Sequence, residues 1–141
     1  MADLEQLYEE HRMIRQLGDR LVELARQETP PPRQQIADAR YALAALILRH
    51  LAHEERIVRA PLAASNSEAA RALAERYSAE LVELRMLGAA HNREWSPVAI
   101  EADWIGYRKA LRVRIARLDA RIDWEEREIF PAVRALWTRA A

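Results

Sequence analysis

HLAHEERIVRAP, residues 50–61, sets an imidazole and a carboxylate four positions apart, His50 and Glu54, in a segment that otherwise reads as the buried face of a helix. Four residues is about one helical turn, so the two side chains point the same way. A helix seldom buries a basic and an acidic group together unless a partner, a proton or a metal offsets the lost hydration. The rest of the chain is read for what it offers to meet that pair.

The chain has 141 residues, enough for one domain with a core of its own, and a single domain over 1–141 is expected. Half the residues are hydrophobic, only three are glycine, and Ala, Leu, Arg and Glu dominate, so the expected class is all-α. Lys plus Arg and Asp plus Glu are both 22, and this zero net charge gives no reason to expect nucleic acid or an anionic membrane as partner. There is no cysteine, which removes disulfides, thiolate ligation and cysteine catalysis. The start, MADLEQLYEEHR, is acidic and no apolar run approaches ~18 residues, so the expected location is the cytoplasm.

Apolar spacing predicts four helices. Asp3 and Gln6 resemble a capping box, and Leu4, Leu7, His11, Ile14, Gly18, Leu21 and Ala25 keep a three-four spacing to about Gln27. His11 occupies a position where leucine is the ordinary choice. Thr29 and Pro30, Pro31 and Pro32 then force a turn. The second helix carries Ile36, Arg40, Leu43, Ile47, His50, Glu54 and Ile57 and is expected to end at Pro61. Ser65 with Glu68 forms the next capping box, followed by a stripe of Ala70, Ala74, Tyr77, Leu81, Leu84, Gly88, His91 and Trp95. Ser96 and Pro97 restart the chain in the order of cap and first-turn proline. The fourth helix carries Trp104, Tyr107, Leu111, Ile115, Leu118, Ile122, Glu125 and Ile129, with Pro131 interrupting or kinking it. Short turns between long helices point to an antiparallel up-down-up-down four-helix bundle.

HLAHEERIV also lies over RIDWEEREI when Glu54 is aligned with Glu125; each has a proline six or seven residues on, and Arg121 stands where His50 stands. In an antiparallel pair, residues equidistant from the turn share a layer. His11 and His50 are about equally far from the proline turn, which puts them at one height. Reflection about residue 64 brings Ala74 or Tyr77 to that height and sends His91 some 20 Å along the axis, to the other end. His91 is therefore expected to bond backbone, water or Asp103, and His53 and Glu55 to be solvated or to support a ligand from behind.

Inward carboxylates and histidines from several helices are how non-haem iron and manganese sites are built without cysteine. His11, His50 with Glu54, and the ending Glu125, Glu126, Ile129, Phe130, Pro131 resemble the hemerythrin-like (HHE cation-binding) family over residues 3–131. That resemblance implies a four-helix bundle holding a di-iron or other metal centre, and roles in oxygen, iron or redox sensing and storage. It carries His11, His50, Glu54 and Glu125 to ligand positions. The family's histidine four residues before the last carboxylate is here Arg121, which cannot ligate a metal, and Tyr77 takes the neighbourhood of the third helix's histidine.

The expected ligand set is thus His11, His50, Glu54 and Glu125, with Tyr77 a further candidate, for iron as one ion or a pair, and with oxygen as a candidate second partner. So few imidazoles make oxygen carriage improbable, and a sensing or binding role is expected ahead of an enzyme. A metal-free bundle is the alternative, in which Arg121 pairs with Glu54 and Glu125 and the domain acts as an interaction or regulatory module. An acid–base enzyme using the two glutamates has no substrate pocket or nucleophile motif to support it.

Overall fold

Proline placement sets the corners. In the computed structural model, which describes residues 2–140, Pro30, Pro31 and Pro32 lack the amide hydrogens a helix needs and separate α1 (Ala2–Leu24) from α2 (Arg33–Glu54). The first helix stops at Leu24 rather than Gln27. Its last turn tightens, with Arg26 N–H donating to the Glu23 carbonyl at 3.1 Å, the usual way a helix end closes its ladder.

Pro61 does not end the second helix. A π-helical turn, Glu55–Arg59, follows α2, and α3 (Ala60–Ala63) continues the same rod with Pro61 in its first turn. The same device recurs in the last rod, where a π-helical turn at Glu125–Ile129 leads into α7 (Phe130–Ala140) ahead of Pro131. In each, the residue before the proline donates five back, Ala60 N–H to the Glu55 carbonyl and Phe130 N–H to the Glu125 carbonyl. The extra residue relieves the clash that a proline ring makes with the preceding turn. The two π turns start at Glu55 and at Glu125, so Glu54 stands one position before its turn and Glu125 opens its own. This offset explains why the two proline spacings differ by one.

The cap of the third rod lies two residues later than expected. Ser67, not Ser65, accepts from Ala70 N–H at 3.2 Å and starts α4 (Glu68–Glu94), while Ser65 Oγ accepts from Ser67 N–H. Ser96 does cap a helix with Pro97 in its first turn, but that helix, α5 (Pro97–Ala102), is short. Asp103 breaks it and caps α6 (Trp104–Trp124) by accepting from Gly106 N–H at 2.9 Å. A Cβ at position 106 would run into the Asp103 carboxylate, so a larger residue there would push the capping side chain aside.

The bundle packs α1 against α2 and α6, and α4 against α6, as an all-α up-down-up-down arrangement requires. No strand occurs among the described residues. Two apolar clusters fill the interior. One, around Ile14, Leu43, Leu46, Tyr107, Leu118 and Ile122, occupies the end with the proline turn. The other, around Leu7, Ile57, Tyr77, Ile129 and Phe130, occupies the end with the chain termini. His11 lies between Leu7 and Ile14 in sequence, His50 and Glu54 between Leu46 and Ile57, and Glu125 between Ile122 and Ile129, so the buried polar residues form a layer between the two clusters.

Candidate metal centre

Each member of this layer is delivered by a helix stripe that is otherwise apolar. The His11 ring lies 4.7 Å from that of His50, centre to centre, as the equal distances from the proline turn require. One donor atom from each of His11, His50, Glu54 and Glu125 falls within 4.8 Å of all the others, and all four residues are buried. His11 Nε2 is 3.0 Å from Glu125 Oε1 and 3.8 Å from Glu54 Oε2, and His50 Nε2 is 3.2 Å from Glu54 Oε2. Donors about 2.0–2.2 Å from one divalent ion lie roughly 3.0–3.4 Å from their neighbours in its shell and at most ~4.3 Å apart across it, so a small inward movement closes this set on an ion.

The outer faces of the two imidazoles are held by carboxylates. His11 Nδ1 lies 2.7 Å from Glu126 Oε2, and His50 Nδ1 lies 2.7 Å from Glu10 Oε1. A proton on each Nδ1 leaves both Nε2 atoms facing the layer's centre, the carboxylate–histidine arrangement that orients metal-ligating imidazoles. Glu10 is itself only 5 % exposed, and its second oxygen takes His53 Nδ1 at 2.6 Å. His53 thus supports the layer from behind, as expected, whereas Glu55 pairs outward with Arg59.

Glu10 and Glu126 are the functional candidates that the stripe reading passed over. Both were signalled in the sequence, since Glu10 is three after Leu7 and four before Ile14, and Glu126 is four after Ile122 and three before Ile129. A three-four pattern admits either of two adjacent positions; here one of each pair enters the layer and the other backs it.

The fourth side of the layer differs from expectation. Tyr77 is fully buried, and its hydroxyl donates to Glu54 Oε1 at 2.9 Å. Burial first, and then the charges of Glu54 and Glu125, push the phenol far up, so it keeps its proton and acts as a donor to the carboxylate. Arg121 points inward, but it pairs with only one of the two carboxylates expected for it. Its Nε donates to Glu125 Oε2 at 2.7 Å, and its guanidinium lies 4.5 Å from the Tyr77 ring centre and 5.0 Å from that of Trp124. Glu54 is reached by Tyr77 instead, and its Oε2 accepts no hydrogen bond among the described residues. That buried, unsatisfied oxygen faces the two inward imidazole nitrogens.

Proton affinities reflect this crowding. Burial opposes charge on His11, yet the Glu125 and Glu54 carboxylates outweigh it and raise the imidazole to about 10. His50 is also raised, against its burial, chiefly by Glu54. Burial opposes ionisation of Glu54, but bonds within the layer to Glu125, His11 and His50 hold it well below the usual carboxylate range. Burial and the Glu54 charge push Glu125 up to about 7. The layer without an ion therefore favours protonated imidazoles, His11 above all, where a cation would place positive charge.

His91 lies at the far end, as the reflection predicts. Its ring packs 6.1 Å from that of Tyr107, and no hydrogen bond joins it to Asp103, whose carboxylate caps Gly106.

No helix of the described residues is long and apolar enough to cross a membrane. Comparison with curated proteins finds no match, and comparison with solved structures finds none either. The family model of the hemerythrin HHE cation-binding domain, however, matches residues 2–133, which include every member of the buried layer. A bundle whose polar layer sits between two apolar clusters, matched by that model over nearly its whole length, belongs to the hemerythrin HHE cation-binding domain family.

Proposed function

We propose that this chain binds one non-haem iron ion through His11, His50, Glu54 and Glu125, and that it serves in sensing or binding rather than as an enzyme, in the cytoplasm. The observation that carries this reading is the convergence of four buried donor atoms, one each from His11, His50, Glu54 and Glu125, within 4.8 Å of one another, with the outer imidazole nitrogens held by Glu126 and Glu10. Glu54 Oε2 and the two Nε2 atoms that face it would all present lone pairs to a cation held there once the imidazoles give up their Nε2 protons. Two imidazoles with two carboxylates and no thiolate form a borderline set, which suits iron, manganese or zinc; the family model supports a cation, and iron is our choice among these on the sequence resemblance alone. Iron would supply redox chemistry or a coordination position for a small ligand such as oxygen. The protein's own part is to hold the imidazoles by their Nδ1 atoms, to fix Glu54 through Tyr77 and Glu125 through Arg121, and to keep the layer dry between two apolar clusters.

One observation favours a second reading, a metal-free bundle that works by protein interaction. Arg121 already satisfies one oxygen of Glu125, and the raised proton affinity of both imidazoles favours positive charge opposite the carboxylates. Metal analysis separates the two. Protein produced with iron supplied is expected to carry close to one equivalent and His50→Ala far less; under about a tenth of an equivalent in the parent protein would reject the metal reading.

A further inference from the structure

At the end of the bundle remote from the metal layer, one cavity is lined by two guanidiniums and by no carboxylate. Arg40 on α2, His91 on α4, and Tyr107 and Arg114 on α6 line this cavity of about 60 Å³, closed below by Leu21, Leu43 and Leu111. A single water needs about 10–15 Å³ on this measure, so the space holds several waters or one small anion.

The polar groups around it are incompletely partnered. Tyr107 is fully buried, and its hydroxyl has no hydrogen-bond partner among the described residues. Arg114 Nη1 is buried without one as well. Burial alone lowers the Arg114 guanidinium, with no carboxylate beside it to hold its charge. Arg40 donates only to neutral acceptors, the Trp95 carbonyl at 2.8 Å and Asn92 Oδ1 at 3.3 Å, and its guanidinium carbon stands 5.9 Å from the Tyr107 ring centre. His91 adds no negative charge; burial and then the charges of Arg40 and Arg114 hold it down to about 4, as a neutral ring. Gly88 makes the room: a Cβ there would come within 2.7 Å of Arg114 Nη2.

We propose that this cavity is a binding site for a small planar oxyanion, a carboxylate or bicarbonate, held between the Arg40 and Arg114 guanidiniums and receiving the Tyr107 hydroxyl proton in a hydrogen bond. Guanidinium forks match the paired oxygens of such an anion, and a buried hydroxyl without an acceptor is left unsatisfied until one arrives. Water alone would satisfy the donors but would leave the two half-buried guanidinium charges without a counter-ion. The site is lined by members of the apolar cluster at the proline-turn end, Leu21, Leu43, Tyr107 and Leu111 among them, and shares no residue with the metal layer.

The test is an NMR titration of the full chain with sodium formate and, in a second arm, sodium bicarbonate, at ionic strength held constant with sodium chloride. Trp95, whose ring centre lies 5.7 Å from that of Tyr107, reports through its indole N–H. Saturable shifts at Trp95, His91 and Tyr107 are expected with at least one of the two anions, and the tighter arm identifies the source. They should weaken at least tenfold in Arg114→Gln, and in Gly88→Ala, which displaces the guanidinium while favouring the helix. They should persist in His50→Ala, which keeps this site separate from the fate of the metal proposal. No saturable shift with either anion, or shifts of undiminished affinity in folded Gly88→Ala, overturns the proposal.

Discussion

Tyr77 and Tyr107 are both fully buried, yet only one of their hydroxyls has a partner, and this contrast yields a quantitative expectation for two matched substitutions. Tyr77→Phe removes the donor to Glu54 Oε1 and leaves a buried, ionised carboxylate with neither oxygen bonded to a neutral donor. A hydrogen bond to a charged group contributes about 1.5–3 kcal/mol, so the metal-free protein should lose roughly 2 kcal/mol. For a chain of this size that is a fall in Tm of about 7 °C. Tyr107→Phe deletes a hydroxyl that has no acceptor, so it should change stability by less than about 0.5 kcal/mol or raise it, because a desolvated donor disappears at almost constant volume. Urea unfolding in the presence of a chelator, without small oxyanions in the buffer, measures both, and an unchanged m-value licenses the comparison. If Tyr77→Phe falls within about 0.5 kcal/mol of the parent, or Tyr107→Phe costs as much as Tyr77→Phe, the hydrogen-bond assignment of the layer is refuted.

Other consequences can be checked with the same material. Arg121→His should raise metal content, since it frees Glu125 Oε2 and adds an imidazole at the position the family uses; unchanged content together with a stability loss of about 2 kcal/mol would mark Arg121 as the internal counter-ion instead. Because His11 is raised to about 10, metal uptake at neutral pH should release at least about one proton, measured by calorimetry in buffers of different ionisation enthalpy; release well below one would contradict the protonated His11 of the ion-free layer. His91 is held down to about 4 from 6.5, so between those values the unfolded chain binds more protons than the folded one and stability rises with pH. Its contribution is present in full above 6.5 and is lost as pH falls through about 4. His91→Gln should flatten that part of the stability profile relative to the parent, and parallel profiles would count against the assignment.

Much of this architecture was legible without coordinates. The three-four stripes, the triple proline and the scarcity of glycine determine four helices, because helix propensity and the missing proline N–H act locally. The same stripes place His11, His50, Glu54 and Glu125 on inward faces, and reflection about the turns puts His11 and His50 at one height while sending His91 to the other end, since rise per residue is fixed. Tertiary structure decided what local rules leave open. The stripes gave no role to Glu10 beside His11 or to Glu126 beside Glu125; packing turned these neighbours behind the layer, onto the outer imidazole nitrogens of His50 and His11. Pro61 and Pro131 read as breaks, but packing on the far side of each keeps the rod going, and π turns absorb the strain. Sequence placed Arg121 near both carboxylates. Only the three-dimensional arrangement shows it bound to Glu125 and not to Glu54, with Glu80 at 3.9 Å on its outer side and the rings of Tyr77 and Trp124 against its guanidinium, because a long side chain's direction is set by the groups that flank it as well as by its register on the helix.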